Sequence, residues 1–483
     1  MTTTGLSRAE IEQLDSMWKA PGFVPTLIAV AAAFGAWSLL LPVIPLAVIE
    51  AGQSETLAGA STGVFMAATV LTQILTPKML RTFGYNPVMV FAAFMLGVPA
   101  LGHILGMDAW IVLLFSALRG VGFGALTVAE SALIAELVPV RLLGKATGML
   151  GVFIGLSQML CLPLGLAIAE RAGFDIVFVI AAVVALVAAV MCLAIPRLKA
   201  APKADPSAYR HPEERGQPEV STWKLVLVPA LAVTSLSMSF GAVSSFLPAA
   251  VREIDPVTGA VIGGLMLSIT GGSSMVFRYL AGMVADRRGL PGTTMIPAQV
   301  VGFAGMALMA LVVANGWSVW LLVAAGIMFG GGFGAVQNEA LLSMFYRLPR
   351  SKVSEASAVW NMAFDAGTGL GSFIFGAVAA QLAYSGAFGT GALVVVLGIA
   401  VTVADAVIGR HRIAEHGNIR ARLRQVPVAG RFSLRRGRKA VGSEPVGFEE
   451  LITRDTENPG WNEPGAVEPG TVEPGQNDSG RRP

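Results

Sequence analysis

The chain has 483 residues, of which 54% are hydrophobic and only 13% are charged, and its mean hydropathy is +0.67. Soluble domains carry about 25% charged residues, so this composition excludes a soluble enzyme, a nucleic-acid-binding protein and a disordered scaffold. It is typical of a polytopic membrane protein embedded in a lipid bilayer. Cys161 and Cys192 both lie in apolar runs, which argues against a disulfide framework or a zinc site.

The amino-terminal segment, residues 1–20, is polar and carries acidic residues where a signal peptide would need basic ones. We therefore predict a retained cytoplasmic segment. Ser7 and Glu10 have the spacing of a helix-capping box, and Ile11, Leu14 and Trp18 follow at helical intervals. This pattern favours a short interfacial helix, with a frayed tail as the alternative.

Twelve apolar runs follow, each near the 20 or so residues that a helix needs to cross a bilayer. A polar stretch rich in proline and charge, residues 196–222, separates the sixth run from the seventh. The predicted fold class is therefore all-α, with twelve transmembrane helices in two pseudo-symmetric six-helix bundles. The bundles should comprise residues 21–195 and 223–409, joined by a cytoplasmic linker.

Residues 410–483 form a polar tail that is first basic and then acidic, with a repeated Glu-Pro-Gly triplet. The basic part is predicted to lie on the anionic inner leaflet, and the acidic part to be disordered. Lys and Arg of the predicted loops concentrate on the side of the two termini. We therefore predict a multi-pass protein of the plasma (inner) membrane, monomeric, with both termini in the cytoplasm.

The two halves share an internal repeat. Residues 120–125 recur as residues 330–335 with five of the six positions identical, namely three glycines, a phenylalanine and an alanine, and the same offset of 210 relates Pro139 to Pro349. Two similar halves around a cavity fit an alternating-access transporter. A chance match within glycine-rich helices is the alternative.

Four residues between the eighth and ninth runs resemble the cytoplasmic loop motif of the major facilitator superfamily, namely Gly282, Asp286, Arg287 and Gly289. The first copy of this motif should lie between the second and third runs. Gly84 is retained there, but Arg81 replaces the aspartate.

Arg119 and the glycines after it resemble the arginine-and-glycine motif of the family's fourth helix. The resemblance covers roughly residues 20–410. It implies a solute carrier whose cavity is lined mainly by helices one, four, seven and ten, often coupled to protons. Residues 155–165 match the family's antiporter motif poorly, which argues against drug efflux and leaves uptake open.

Ionisable residues inside the membrane are candidate functional residues, because a charge at the bilayer centre costs at least about 2.5–3.5 kcal/mol. Arg119 is a candidate for substrate binding or proton coupling, or else braces helices. Glu130 lies eleven residues further along and is predicted in the cytoplasmic half of the cavity. Asn361 and Asp365 are four residues apart, hence on one helix face, and serve either coupling or packing.

Three consecutive polar residues of the tenth run, Gln337, Asn338 and Glu339, cover most of a helix circumference. At least one should face the cavity, and Glu339 is a candidate proton carrier. Trp37 is a candidate ligand contact in a first helix that has no charge. Outside this set, we expect a structural role for His103, pairing of Arg278 with Asp286, and pairing of Asp405 with the basic tail.

The gate residues follow from the family's usual arrangement, in which the motif aspartate of one half sits near the start of a helix in the other. A helix amino terminus carries a partial positive charge and favours anions. Asp286 should therefore face the start of the fifth helix near Lys145. Arg81 breaks this rule in the first half, and the 210 offset puts Glu355 opposite Lys145. We predict a charge swap, with Asp286 paired to Lys145 on one side and Arg81 paired to Glu355 on the other.

The favoured function is secondary transport of a small solute, coupled to protons and working by alternating access. Proton-driven efflux of hydrophobic compounds is one alternative, and a non-transporting receptor or scaffold of the same fold is another. No phosphate-binding motif of the form G-x-x-x-x-G-K-[ST] is present. We therefore expect no ATP-driven transport, no cofactor, no metal, no enzymatic activity and no nucleic-acid partner.

Overall fold

The first half of the protein is a bundle of long helices. The computed structural model describes residues 6–200 and 222–408. Its first half comprises α1 (Arg8–Glu12), α2 (Phe23–Leu40), α3 (Val43–Glu50), α4 (Glu55–Thr82), α5 (Tyr85–Gly97), α6 (Ala109–Leu137), α7 (Leu143–Ala172) and α8 (Phe174–Leu193).

Two crossings of the first half are each made of two pieces. Pro42 lies at the short break between α2 and α3, where its missing N–H interrupts the helix. The third crossing continues from α5 into a 3-10 stretch over Val98–Leu105, which begins at a Val-Pro dipeptide. Each pair spans the bundle as a single unit.

The second half comprises α9 (Thr222–Ile254), α10 (Thr258–Arg288), α11 (Met295–Asn315), α12 (Val319–Arg347) and α13 (Val353–Ile408). The last of these is sharply kinked at Leu382 and Ala383, and Ala383 has a φ of 55°. α13 therefore supplies two crossings.

Ten helical stretches among the described residues are long and apolar enough to cross a membrane, and one of them is the whole of Arg350–Val407. α10, with 31 residues, is long enough but less apolar. With α10 and the second crossing of α13, the described residues form twelve crossings, which agrees with the sequence. The all-α prediction of twelve crossings is confirmed, whereas the predicted tail and most of the linker lie outside the described residues.

Glycines pack the two halves in the same way. A Cβ on Gly120 would lie 2.2 Å from a backbone oxygen of α4, and one on Gly330 would lie 2.2 Å from a backbone oxygen of α10. A Cβ on Gly122 would lie 2.4 Å from the backbone of α5, and one on Gly332 2.4 Å from that of α11. The repeat read from the sequence is therefore a repeat of helix contacts, because only glycine lets these backbones approach so closely.

The segment before α2 packs on the loop between α6 and α7. Arg141 donates hydrogen bonds to the carbonyls of Glu12 (2.9 Å) and Leu14 (2.5 Å). The predicted capping box is present, with Ser7 and Glu10 each bonding to the other's backbone. The short helix predicted here is confirmed, and the buried side chain of Ile11 anchors it.

Candidate functional site

The two halves meet at one end of the molecule. We call this the linker end: it is the end where α8 stops and α9 starts, and where α4–α5, α6–α7, α10–α11 and α12–α13 are joined. The opposite end is the far end. Every described hydrogen bond and ion pair between the halves lies between the linker end and a depth of about 18 Å, twelve residues at 1.5 Å per residue.

Asp286, at the linker end of α10, caps the amino terminus of α7. Its carboxylate oxygens accept hydrogen bonds from the backbone amides of Gly144 (2.7 Å) and Lys145 (2.8 Å). The predicted position is confirmed, but the partner is the helix terminus. An ion pair with the Lys145 ammonium is not found among the described residues, because the two free amides of the first turn already occupy the carboxylate.

Arg81 and Glu355 form the ion pair predicted between the halves, with Nη1 and Oε1 2.5 Å apart. Glu355 lies in the first turn of α13, where a negative charge is favourable. Gly84 follows Arg81 at the end of α4 and has a φ of 90°. Its α-carbon lies against the carbonyl of Leu198, so a side chain there would displace the segment after α8.

The remaining motif residues shape the end of α10. Gly289 ends the helix in the left-handed region, with φ 63°, and its amide bonds to Ala285. Gly282 packs directly on Gly144, where a Cβ would lie 2.0 Å from the carbonyl oxygen. Arg287 is exposed.

A further ion pair joins the halves at the linker end and was missed from the sequence. Arg350, before α13, donates from both Nε and Nη2 to the carboxylate of Glu136 near the end of α6. The carboxylate side chain is 6% exposed. The sequence does not predict this pair, because each residue lies beside a loop, and charged residues of both signs are common in such loops.

Deeper between the halves, Asp365 contacts the first half through an amide. Its Oδ2 accepts a hydrogen bond from Gln73 Nε2 on α4 at 2.6 Å. The same Nε2 lies 3.3 Å from the hydroxyl of Thr127 on α6. Asp365 is partly buried. Gln73, missed from the sequence, is the one amide side chain of α4 and lies among the buried hydroxyls of Thr69, Thr72 and Thr76.

Asn361, one turn nearer the linker end, extends this polar seam. It donates to the carbonyl of Thr127 at 3.2 Å and to its own helix at Ser357 (2.9 Å). The hydroxyls of Ser131 and Ser357 also contact each other across the two halves. The prediction that Asn361 and Asp365 share a face is confirmed, and that face is the boundary between the halves.

Glu130 and Arg278 are the other charges at this depth. Glu130 is 3% exposed and its Oε2 has no hydrogen-bond partner, and its electrostatic neighbours are Arg278 and Asp365. Arg278 donates to Gln337 at 3.2 Å and lies 5.5 Å from the centre of the Trp360 ring. The expected pairing of Arg278 with Asp286 is wrong, because Arg278 points into the membrane-buried interior.

The three polar residues of α12 face three directions. Gln337 contacts Arg278, and Asn338 accepts from Thr147 of α7 at 2.8 Å, across the halves. Glu339 accepts from the amide of Gly292 and from the Thr294 hydroxyl, which lies 2.5 Å away. Its carboxylate therefore orders the α10–α11 loop.

Contacts are described for two residues outside the main set. Asp405 pairs with Arg347 at 2.6 Å, on a neighbouring helix of the second half, and the basic tail lies outside the described residues. His103 is buried, with Nδ1 3.2 Å from the carbonyl of Ala100. It packs beside Phe178, in keeping with a structural role.

Arg119 and Trp37 meet in a separate cleft within the first half. Arg119 is 3% exposed, bonds through Nε to the carbonyl of Leu96 at 3.3 Å, and lies 5.5 Å from the centre of the Phe65 ring. Trp37 stacks on Phe123 with ring centres 5.0 Å apart. No acid contacts Arg119 among the described residues.

Sequence comparisons identify relatives of the chain. A profile of the Major Facilitator Superfamily matches residues 26–344. Two uncharacterized MFS-type transporters, from two strains of Mycobacterium tuberculosis, are each 28% identical over 137 residues. That alignment covers 28% of this chain and 20% of each relative, so the chain spans about a fifth of the length of these relatives.

Solved structures share the fold at low identity. The human organic anion transporter MFSD10 (TETRAN) superimposes with a TM-score of 0.62 at 15% identity, over 79% of this chain and 98% of that one. The proton:xylose symporter XylE, bound to 6-bromo-6-deoxy-D-glucose, gives 0.63 at 15% identity, over 83% and 98%. Since the family profile covers well over half of a chain that also has this fold, the protein belongs to the Major Facilitator Superfamily.

Proposed function

We propose that this transporter-family protein moves a small solute across the plasma membrane by alternating access, and that proton binding between its halves drives the change of access. The linker end is the cytoplasmic end, as the Lys and Arg of the loops favour. The contacts at that end describe a state closed to the cytoplasm. The alternatives, efflux of hydrophobic compounds and a non-transporting scaffold, are outcomes of the test below.

The observation that carries the proposal is the group of charges at the boundary. Asp365 and Glu130 supply two carboxylates, and Arg278 supplies one guanidinium, which stays protonated in proteins. The group therefore has one negative charge too many. An uncompensated charge at this depth costs at least about 2.5–3.5 kcal/mol. One bound proton removes that cost and stabilises the closed boundary.

The contacts at Asp365 link proton binding to the opening and closing of the boundary between the halves. Gln73 belongs to the first half and Asp365 to the second, so their hydrogen bond exists only while the linker end is closed. When the boundary opens, both carboxylates gain water and can release the proton to that side. A proton taken up from the far end is thus exchanged for one released at the linker end, which is the cycle that coupling requires.

Glu339, one of the candidate carriers in the sequence, is left out of the proposed proton binding. Both of its oxygens accept hydrogen bonds from the α10–α11 loop, which supports a structural role. We therefore assign proton binding to Asp365 and Glu130 together.

The test is proton movement driven by a solute gradient in proteoliposomes that contain a membrane-impermeant pH indicator. Xylose, ethidium and benzenesulfonate represent a neutral sugar, a hydrophobic cation and an organic anion. We expect one of these classes to move protons in the wild-type protein. Asp365→Asn should abolish that movement while labelled solute still exchanges. Ethidium alone as the coupled solute would favour the efflux alternative.

Glu339→Gln is the matched control, since it removes an acid of the same half that the proposal leaves out of coupling. Solute transport by the wild-type protein without proton movement would overturn the coupling. Absence of transport for all three classes would favour the scaffold alternative.

A further inference from the structure

A cleft in the first half is built like a site for an anion. It lies between α2–α3, α4 and α6, in the far half of the membrane, and part of it is open to solvent. It is separate from the charges at the boundary.

The only charged residue lining the cleft among those described is Arg119. Its Nε is satisfied by Leu96, while neither terminal nitrogen has a described hydrogen-bond partner. A guanidinium stays protonated in proteins, and a buried unpaired charge costs several kcal/mol. The side chain thus presents two donors in the planar fork that a carboxylate accepts.

A second donor in the same cleft also has no partner. Trp37 lines the cleft, and its buried indole N–H makes no hydrogen bond. The remaining lining consists of hydroxyls and apolar groups, with Ser61 and Thr62 on one side and Phe65 and Ile44 around them. Donors without acceptors, and an apolar wall without acids, complement an anion with a small apolar body.

The second half lacks an equivalent cation. The 210 offset relates Arg119 to Phe329, a buried phenylalanine that stacks on Phe333. The glycines that follow keep the same contacts in both halves. Packing of this helix therefore does not need an arginine at this position. The charge of Arg119 serves a function that is specific to the first half.

We infer that Arg119 binds the carboxylate of a small monoanionic solute, whose apolar body lies against Phe65 and Ile44 and which enters from the far end. This inference names the substrate class and rests on the proposed transport. Monoanions of two sources, an organic carboxylate and chloride, share the chemistry, so the test includes both.

The test is isothermal titration of the purified protein with benzoate, with the neutral isostere benzamide, and with chloride in a gluconate buffer. We expect saturable benzoate binding and none for benzamide. Arg119→Gln should weaken benzoate binding at least 10-fold. Arg119→Lys should retain part of it, because an ammonium keeps the charge and loses the fork. Arg171→Gln, which removes an exposed cation at the far end, should leave binding unchanged.

Thr62→Phe is a second way to block the site if the arginine variants misfold, since it fills the cleft and leaves Arg119 in place. It should also abolish benzoate binding. Equal binding of benzoate and benzamide, or benzoate binding that survives in Arg119→Gln and Thr62→Phe, would overturn the inference. Chloride binding at Arg119 with no benzoate binding would also overturn it, by making the site one for an inorganic anion.

Failure of this inference differs from failure of the proposed function. If benzoate binds at Arg119 but no solute moves in proteoliposomes, the site stands and the transport proposal fails. If solute and protons move together and Arg119→Gln transports benzenesulfonate as the wild type does, transport stands and the site fails.

Discussion

The amino termini of α7 and α13 occupy equivalent positions in the two halves, and the residues that face them from the other half carry opposite charges. The amino terminus of α7 is neutralised from the other half by Asp286. The amino terminus of α13 has its own acid, Glu355, and Arg81 of the other half pairs with that acid. Arg81 facing the helix terminus alone would be unfavourable. The swap therefore needs both residues, and this pairing could be predicted because the 210 offset identifies the partner.

The Arg81–Glu355 pair is expected to bias the closed state weakly. Its side chains are 20% and 24% exposed, and pairs of this kind contribute about 0–1 kcal/mol. Arg81→Glu should therefore shift the closed-to-open ratio toward open by a factor of about 5, the equivalent of about 1 kcal/mol, since repulsion replaces attraction. Adding Glu355→Arg should restore the ratio. Modification of an engineered cysteine at Thr127 from the linker side measures the opening.

Lack of rescue in the double variant would contradict the pairing. Lys78→Glu is the control, because Lys78 is an exposed cation on the same helix, one turn away. It should leave the modification rate unchanged.

At the scale of elements, closure of the linker end depends on α7 and α10 touching backbone to backbone. Gly144 packs on Gly282, and Gly148 packs on the backbone of Tyr279. Further along α7, Gly151 accommodates Arg278. This stripe lets the two helices approach over about two turns, and it holds Arg278 at the boundary. Small residues let membrane helices pack closely in this way.

Gly282→Ala should prevent full closure of the linker end. The new Cβ would lie 2.0 Å from the carbonyl oxygen of Gly144, a backbone atom that cannot turn aside. Gly271→Ala is the matched control on the same helix, with nothing within 4 Å of its Cβ. We expect the first variant to raise the cysteine modification rate from the linker side. The second should leave it unchanged and stabilise α10 by about 0.5–1 kcal/mol. Wild-type modification rates in Gly282→Ala would contradict the contact.

At the scale of the whole molecule, the sequence predicts the fold well and the site in part. Hydropathy and the 210 offset suffice for twelve crossings and for the Arg81–Glu355 pair, because both depend on local pattern and symmetry. The boundary contacts depend on which helix faces follow the seam between the halves. Gln73 and the Glu136–Arg350 pair were missed for that reason, and Arg278 was assigned a partner on its own helix. Glu339 was a candidate proton carrier in the sequence, because its sequence neighbours do not show that its carboxylate binds the α10–α11 loop.

The central claim is that one proton between the halves decides whether the linker end is closed. The most direct measurement is the distance between spin labels at Lys78→Cys and Ser351→Cys, on a background with Cys161 and Cys192 replaced by alanine, as a function of pH. The account predicts a short distance at low pH. A second population with a longer distance should increase as the pH rises. The closed-to-open ratio should fall by up to about two orders of magnitude, because the closed state then carries the uncompensated charge. Asp365→Asn and Glu130→Gln each leave one acid for Arg278, so their closed-to-open ratio should not change with pH. A wild-type distance that does not change with pH, or an unaltered pH response in both variants, would contradict the account.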